Sequence, residues 1–347
     1  CMGTAFGAAT REIGGELQLM SRMGYDATTF GNHEFDYGPE GLGQSIGVAA
    51  KTGRIPAVLA SNTSFAKQDT ALVDLQRLSR DGVIRRHLVI ERNGIRFGLF
   101  GVIGKEAIFY ANGGAVSFTD PIEAAREMVR VLRETEKVDV VIALSHGGLE
   151  KGKDGRYTGG DDVHLAEAVP GIDVVIGGHS HTELQKAVIV NNRTPVVQTG
   201  KEVKNLGELV ITLDSGKLKV EYYRLYPIDD SIVGDRAIGD EIEKLKKSVT
   251  AAVFASRGYS VAQPLANIPQ DLPTTTSAAR SASAARPSGP RTAIPSAAAA
   301  SIWASLAPLP MAAAPCGPSC STRACFWPAS SPGAILITCI LRLSAMA

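Results

Sequence analysis

Twice in this chain an unbroken apolar run ends in a loop that joins glycine to histidine. VDVVIALSHGG (138–148) and GIDVVIGGHSHT (171–182) each read as a Val/Ile strand without polar alternation, the pattern of a strand covered on both faces. Such strands belong to sheets with other layers packed on them, and polar, Gly-rich loops at their carboxyl ends are where open α/β sheets place their chemistry. A third strand-like run, Asp26 to Phe30, leads straight into GNHEFDYG (31–38). Three strand ends therefore deliver His33, His146, His179 and His181 to what would be one edge.

The segments between them punctuate the same architecture. Leu17, Met20 and Met23 at helical spacing predict a helix over about 15–23, closed at Gly24. HLVIERNGIRFGLFGVIG predicts a hairpin turning at Asn93-Gly94 and continuing into a buried strand. Asp120 is a natural N-cap with Pro121 at the first helical position, Glu123 three residues on, and Ile122, Ala125, Met128, Val129 and Leu132 as the apolar stripe. RIPAVLASNTSF and TPVVQTG predict further strands, LGELVITLDSGKLKVEYYRLYPI a second hairpin, and about 235–255 a charged closing helix. Strands alternating with helices imply a layered α/β sandwich.

Composition divides the chain at Asp271. All 35 acidic residues, and every Lys, His, Asn, Gln and Tyr, lie at or before it. That part carries 31 basic against 35 acidic side chains and a single cysteine, Cys1. A near-neutral balance gives no reason to expect a nucleic acid polymer or a membrane surface as partner, and one cysteine supports neither a disulfide framework nor a thiolate metal site. Residues 272–347 are Ala/Ser/Pro/Arg-rich and hold both tryptophans and four of the five cysteines. Cys316, Cys320, Cys325 and Cys339 lack zinc-knuckle spacing, and the apolar run 334–341 is too short to span a bilayer.

One histidine in a loop is usually only that. Four at strand ends, each in a loop that carries glycine, argue for a shared site. Imidazole with carboxamide and carboxylate oxygens is the ligand set of Mn, Zn, Fe or similar divalent ions. In His179-Ser180-His181 an extended backbone would turn both imidazoles to one face. Ser145 beside His146 has no GxSxG elbow around it, so a serine nucleophile is a weak reading.

GNHEFDYG, SHGG and GGHSHT, in that order, resemble the calcineurin-like metallophosphoesterases. GYD before the first, and NLGEL after QTGK, are similar to that superfamily's 5'-nucleotidase and UDP-sugar hydrolase branch. The resemblance implies an α-β-β-α sandwich over 1–255, a linker over 256–271 toward a nucleotide-binding domain, and two divalent ions drawn from Mn, Zn, Fe, Co or similar. It implies Asn32, His146 and His179 as ligands of one ion and His181 of the other. His33 would hydrogen-bond the phosphoryl and leaving oxygens, oriented by Asp36. The reaction implied is hydrolysis of a nucleotide or other phosphate ester by metal-bound hydroxide, outside the cytoplasm in the periplasm or extracellular space. UDP-sugar hydrolysis, 2',3'-cyclic nucleotide hydrolysis, a thiosulfate-oxidation-type hydrolase and a metal-binding pseudoenzyme are the alternatives.

Two departures from that pattern carry expectations of their own. The family's Asp-x-His and Gly-Asp motifs would precede Cys1, so the chain as given is expected to be N-terminally truncated and impaired. Downstream, 272–347 is expected to be a low-complexity segment, from a shifted reading frame or natural disorder, in place of the family's second domain.

Overall fold

A computed structural model describes residues 13–66, 68–214, 216–260, Gln263 and the strand 339–344. The elements follow in chain order as α1 (Gly15–Arg22), β1 (Ala27–Thr29), a 3-10 turn (Asn32–Phe35), α2 (Gly38–Thr52), β2 (Ala57–Leu59), β3 (Thr63–Phe65), α3 (Val73–Arg80), β4 (Ile84–Arg85), β5 (His87–Arg92) and β6 (Ile95–Ile103). They continue as α4 (Lys105–Tyr110), β7 (Val116–Phe118), α5 (Pro121–Arg130), β8 (Val140–His146), β9 (Glu150–Lys151), β10 (Tyr157–Gly159), α6 (Asp161–Ala168) and β11 (Val174–Ile176). The last are β12 (Val188–Val190), β13 (Thr194–Val197), β14 (Asn205–Asp214), β15 (Lys217–Pro227), α7 (Arg236–Val249) and β16 (Cys339–Ser344).

Six strands form one sheet in the order β12-β13-β11-β8-β6-β5, and three short parallel strands form another, β1-β2-β4. The centre of the larger sheet, β6-β8-β11-β13, is parallel, which is why β8 is buried along its whole length and reads as a continuous apolar run. Its edges are antiparallel. β5 pairs with β6 through Asn93 and Gly94, both at positive φ, as an Asn-Gly hairpin turn requires.

Helices α5 and α6 cover the outer face of the six-stranded sheet; Leu132, in the turn that continues α5, packs over Gly98, where a Cβ would lie 2.7 Å from it, and Met128, Val163 and Leu165 share its buried cluster. Helices α1 to α3 cover the three-stranded sheet through Leu17, Met20, Leu42, Ile46, Leu75 and Leu78. Strand β2 shows how one alternation serves two layers, since Val58 joins the helix side and Leu59 the core shared with the six-stranded sheet. The result is the expected α-β-β-α sandwich.

The two sheets meet at β6. A Cβ on Gly101 would lie 2.4 Å from the Thr29 hydroxyl and 2.5 Å from the Leu59 carbonyl, so only glycine admits this approach. The seam is closed by polar ties. The Ser61 amide donates to the Gly101 carbonyl at 2.7 Å, and the buried Asn62 amide group donates to the Ile103 carbonyl at 2.9 Å while accepting from the Ile103 amide at 3.0 Å.

Asp120 caps α5 as expected, accepting from the amides of Ile122 and Glu123 at 2.8 and 3.2 Å. Glu123 turns to Arg126. The closing helix runs regularly over Arg236–Val249 and then relaxes into π and 3-10 turns to Arg257. β14 and β15 form the expected hairpin, and β16 lies parallel beside β14. The expectations for the segment ahead of residue 13, for the linker 256–271 and for the tail 272–347 otherwise lie outside the described residues. No helix among the described residues is long and apolar enough to cross a membrane.

Candidate metal centre

The strand ends that carry the motifs open on one edge. His146 closes β8 opposite Ile103 of β6, and the Gly104 amide donates to its carbonyl at 3.0 Å. From the other sheet, β1 leads into the 3-10 turn of GNHEF. That turn is pinned from below by Phe35, which is fully buried with its ring edge-on to Phe30 and Phe118 at 5.6 and 5.5 Å. It is closed from above by Glu34, whose carboxylate accepts from the Gly31 amide at 2.7 Å. With Phe35 facing the core, Asn32 and His33 face the edge.

Asn32 Oδ1 stands 2.9 Å from His146 Nε2. Both residues are buried, at 8% and 4% exposure. A Cβ on Gly31 would lie 2.5 Å from the His146 ring, so the glycine of the motif is the space the imidazole occupies. The His179 ring centre lies 5.1 Å from that of His146. Burial, followed by the neighbouring charge of His179, with His33 and His181 adding to it, holds His146 well below the usual histidine range. His179 is lowered chiefly by burial, against the pull of Glu106, whose carboxylate is 3.8 Å away. His181 is lowered by burial and then by the charge of Lys201. Neutral imidazoles with free lone pairs are what a cation needs.

His33 sits half-exposed beside the pair, its Nδ1 3.0 Å from Asp36 Oδ2. This carboxylate contact leaves Nε2 directed away from its partner.

The route by which His179 and His181 reach the edge differs from expectation. Neither is extended: φ is 72° at His179 and 55° at His181, both in the left-handed region. The i, i+2 same-face argument therefore does not apply. A tight loop does the work instead, organised by Gln198 at the end of β13, which is 2% exposed. Its amide donates to the Gly178 carbonyl at 2.9 Å, and its carbonyl accepts from the Ser180 hydroxyl at 3.1 Å and from the Thr182 amide. Ser180 in turn accepts from the Leu149 amide at 2.9 Å, joining this loop to the one after His146. Gln198 was missed in the sequence, although QTG after an apolar strand repeats the signal that marked the histidines.

A second missed residue is Asp162, at the start of α6. It is fully buried, and burial raises its carboxyl to about 8 despite the lowering influence of the Ser145 hydroxyl and the Gly148 and Gly147 amides. Two exposed aromatics, Phe109 and Tyr110 of α4, stand at the rim, the Tyr110 ring 6.3 Å from that of His179.

Among the described residues no group of three or more His, Cys, Asp or Glu side chains is gathered to hold a metal ion. The set that converges is an amide oxygen with two imidazoles: Asn32, His146 and His179. Its chemistry fits a divalent ion. Two donors bound side by side at ordinary metal-ligand lengths lie about 3 Å apart, close to the separation of Asn32 Oδ1 and His146 Nε2. Both sit in a buried site where neither imidazole favours a proton.

The model of one family, the calcineurin-like phosphoesterases, matches residues 11–183. Residues 11–183 are a calcineurin-like phosphoesterase domain. All four candidate histidines, Asn32 and Asp36 fall inside it. The chain is 30% identical over 270 residues to the trifunctional nucleotide phosphoesterase protein YfkN of Bacillus subtilis, covering 71% of this chain and 18% of that one. It is 30% identical over 249 residues to a 5'-nucleotidase of Diplobatis ommata, covering 67% and 39%. A 5'-nucleotidase precursor from Thermus thermophilus superposes with a TM-score of 0.53 at 25% identity over 71% of this chain and 48% of that one. The Bacillus subtilis YfkN phosphoesterase superposes with the same TM-score at 21% identity over 72% and 81%, a likeness of fold. The phosphoesterase domain here is thus similar to the N-terminal part of 5'-nucleotidases, and the chain spans less than half the length of those curated relatives.

Proposed function

We propose that this chain is the catalytic part of a divalent-metal-dependent hydrolase of nucleotide phosphate esters, of the 5'-nucleotidase type. The observation that supports it most is the Asn32–His146 pair at 2.9 Å, brought together from two different sheets with His179 alongside. Asn32, His146 and His179 would hold one ion, and His181 would contribute to a second. Bound there, such ions supply Lewis-acid charge for the phosphoryl oxygens and lower the pKa of a water.

The chain's own residues do the rest. Glu34 and Phe35 hold the GNHEF turn so that Asn32 and His33 project together. Asp36 engages His33 Nδ1, leaving Nε2 for the substrate. Protonated, that Nε2–H donates to a phosphoryl oxygen or to the leaving oxygen as charge develops on it. Burial keeps the ligand imidazoles neutral. On this reading His181 stands alone for the second ion among the described residues, and one imidazole cannot retain a divalent ion at ordinary concentrations. The chain as given is then expected to bind one ion tightly and to turn over slowly. Family resemblance supports a working enzyme outside the cytoplasm.

The test is release of phosphate from adenosine 5'-monophosphate with added Mn(II) or Co(II), set against the same reaction in chelator and against His146→Ala. Hydrolysis that survives both chelation and loss of His146 would refute the reading.

A further inference from the structure

Asp162 has no part in the site as drawn, yet both loops that carry the candidate ligands fold around it. A Cβ on Gly147, one residue past His146, would lie 2.7 Å from Asp162 Oδ1. A Cβ on Gly177, two residues before His179, would lie 2.2 Å from Asp162 Oδ2. The carboxyl thus fills the room that glycine leaves in SHGG and in GGHSH. The backbone reinforces the attachment, since the Asp162 amide donates to the Gly148 carbonyl at 3.0 Å. The Ser145 hydroxyl and the Gly147 and Gly148 amides approach the carboxyl, but neither oxygen has a partner of good hydrogen-bond geometry. A fully buried carboxyl in that condition is costly, and a hydrophobic side chain would fill a core position at less cost. Its presence asks for a reason outside stability.

We propose that Asp162 is a positioning residue that clamps the His146 loop to the His179 loop, fixing the mutual placement of their imidazoles. The clamp acts from behind, through the glycines, and touches neither substrate nor ion. It rests on the reading of His146 and His179 as ligands only for its effect on metal affinity. The placement itself is independent of metal.

The experiment follows the histidine ring signals of the metal-free full chain by NMR, then titrates Co(II) and records its visible absorption. Asp162→Ala should move the His146 and His179 signals while leaving His87, which is 3.4 Å from Glu136 in another region, where it was. Its Co(II) affinity should fall about 10- to 100-fold, as for lost outer-shell partners, whereas Asp162→Asn, which keeps shape and one acceptor, should lose less than about threefold. A folded Asp162→Ala protein with unmoved His146 and His179 signals overturns the clamp. Should the alanine variant not fold, Gly177→Ala decides: pressed against the carboxyl, it should disturb the Gly147 and Gly148 amide signals across the clamp, and unchanged signals overturn the proposal. A parent chain that binds no Co(II) would sink the metal reading and leave the resonance test standing.

Discussion

At the scale of single residues, the proposed function separates groups that would hold an ion from a group that would act on substrate. In that proposal His33 is the acting one, and His33→Asn should lower kcat for nucleotide hydrolysis by about 10²- to 10⁴-fold, the usual worth of a placed proton donor. Asp36→Asn should cost less, about 10- to 100-fold, and steady-state kinetics of the two variants checks the order. Titration is the second residue-level test. The folded value of His146 is depressed, so its contribution to stability is present above the unfolded value of about 6.5 and lost as pH falls below it. Asp162 runs the other way: raised to about 8, its contribution is complete below the unfolded value of about 3.9 and is lost as pH rises toward 8. Between about pH 6.5 and 8 Asp162 acts without opposition from His146. Stability of the metal-free protein should fall there by no more than about 1.4 kcal/mol per pH unit, and Asp162→Asn should flatten that slope in denaturant titrations at stepped pH.

At the scale of elements, the GNHEF turn shows how a core residue serves a surface site. Phe35 anchors the turn by burial against Phe30 and Phe118, and Phe35→Ala should cost about 3–5 kcal/mol. Removing the α5 cap with Asp120→Ala should cost only about 1 kcal/mol and leave metal affinity alone, because that helix end carries none of the proposed ligands. Thermal melts beside Co(II) titrations separate the two. The elements themselves were largely legible. The Asn-Gly hairpin, the Asp120-Pro121 helix start and the Val/Ile strands are local signals, and the structure places them where they were read. The 179–182 loop was not legible in its conformation, because the left-handed φ at His179 and His181 is imposed by Gln198 from a strand that follows in sequence. Asp162 escaped for a similar reason. In DDVHLA it looks like a solvated helix start, and only the packing of two distant loops buries it.

At the scale of the whole molecule, the candidate site draws on both sheets: Asn32, His33 and Asp36 follow β1, while His146, His179 and His181 follow β8 and β11. No single motif brings those sets together. What does so is the contact at Gly101, where β6 meets Thr29 and Leu59 without a side chain between them, and the Ser61 and Asn62 ties beside it. Widening that contact by one methyl, as in Gly101→Ala, should therefore cut metal affinity with little change in helix or strand content, and Co(II) absorption beside far-ultraviolet circular dichroism checks this. The same geometry makes the two halves a kind of split reporter. As denaturant rises, the first loosening between the layers will extinguish the cobalt colour while the ellipticity still reads native, so the centre will register loss of alignment before the protein registers loss of structure.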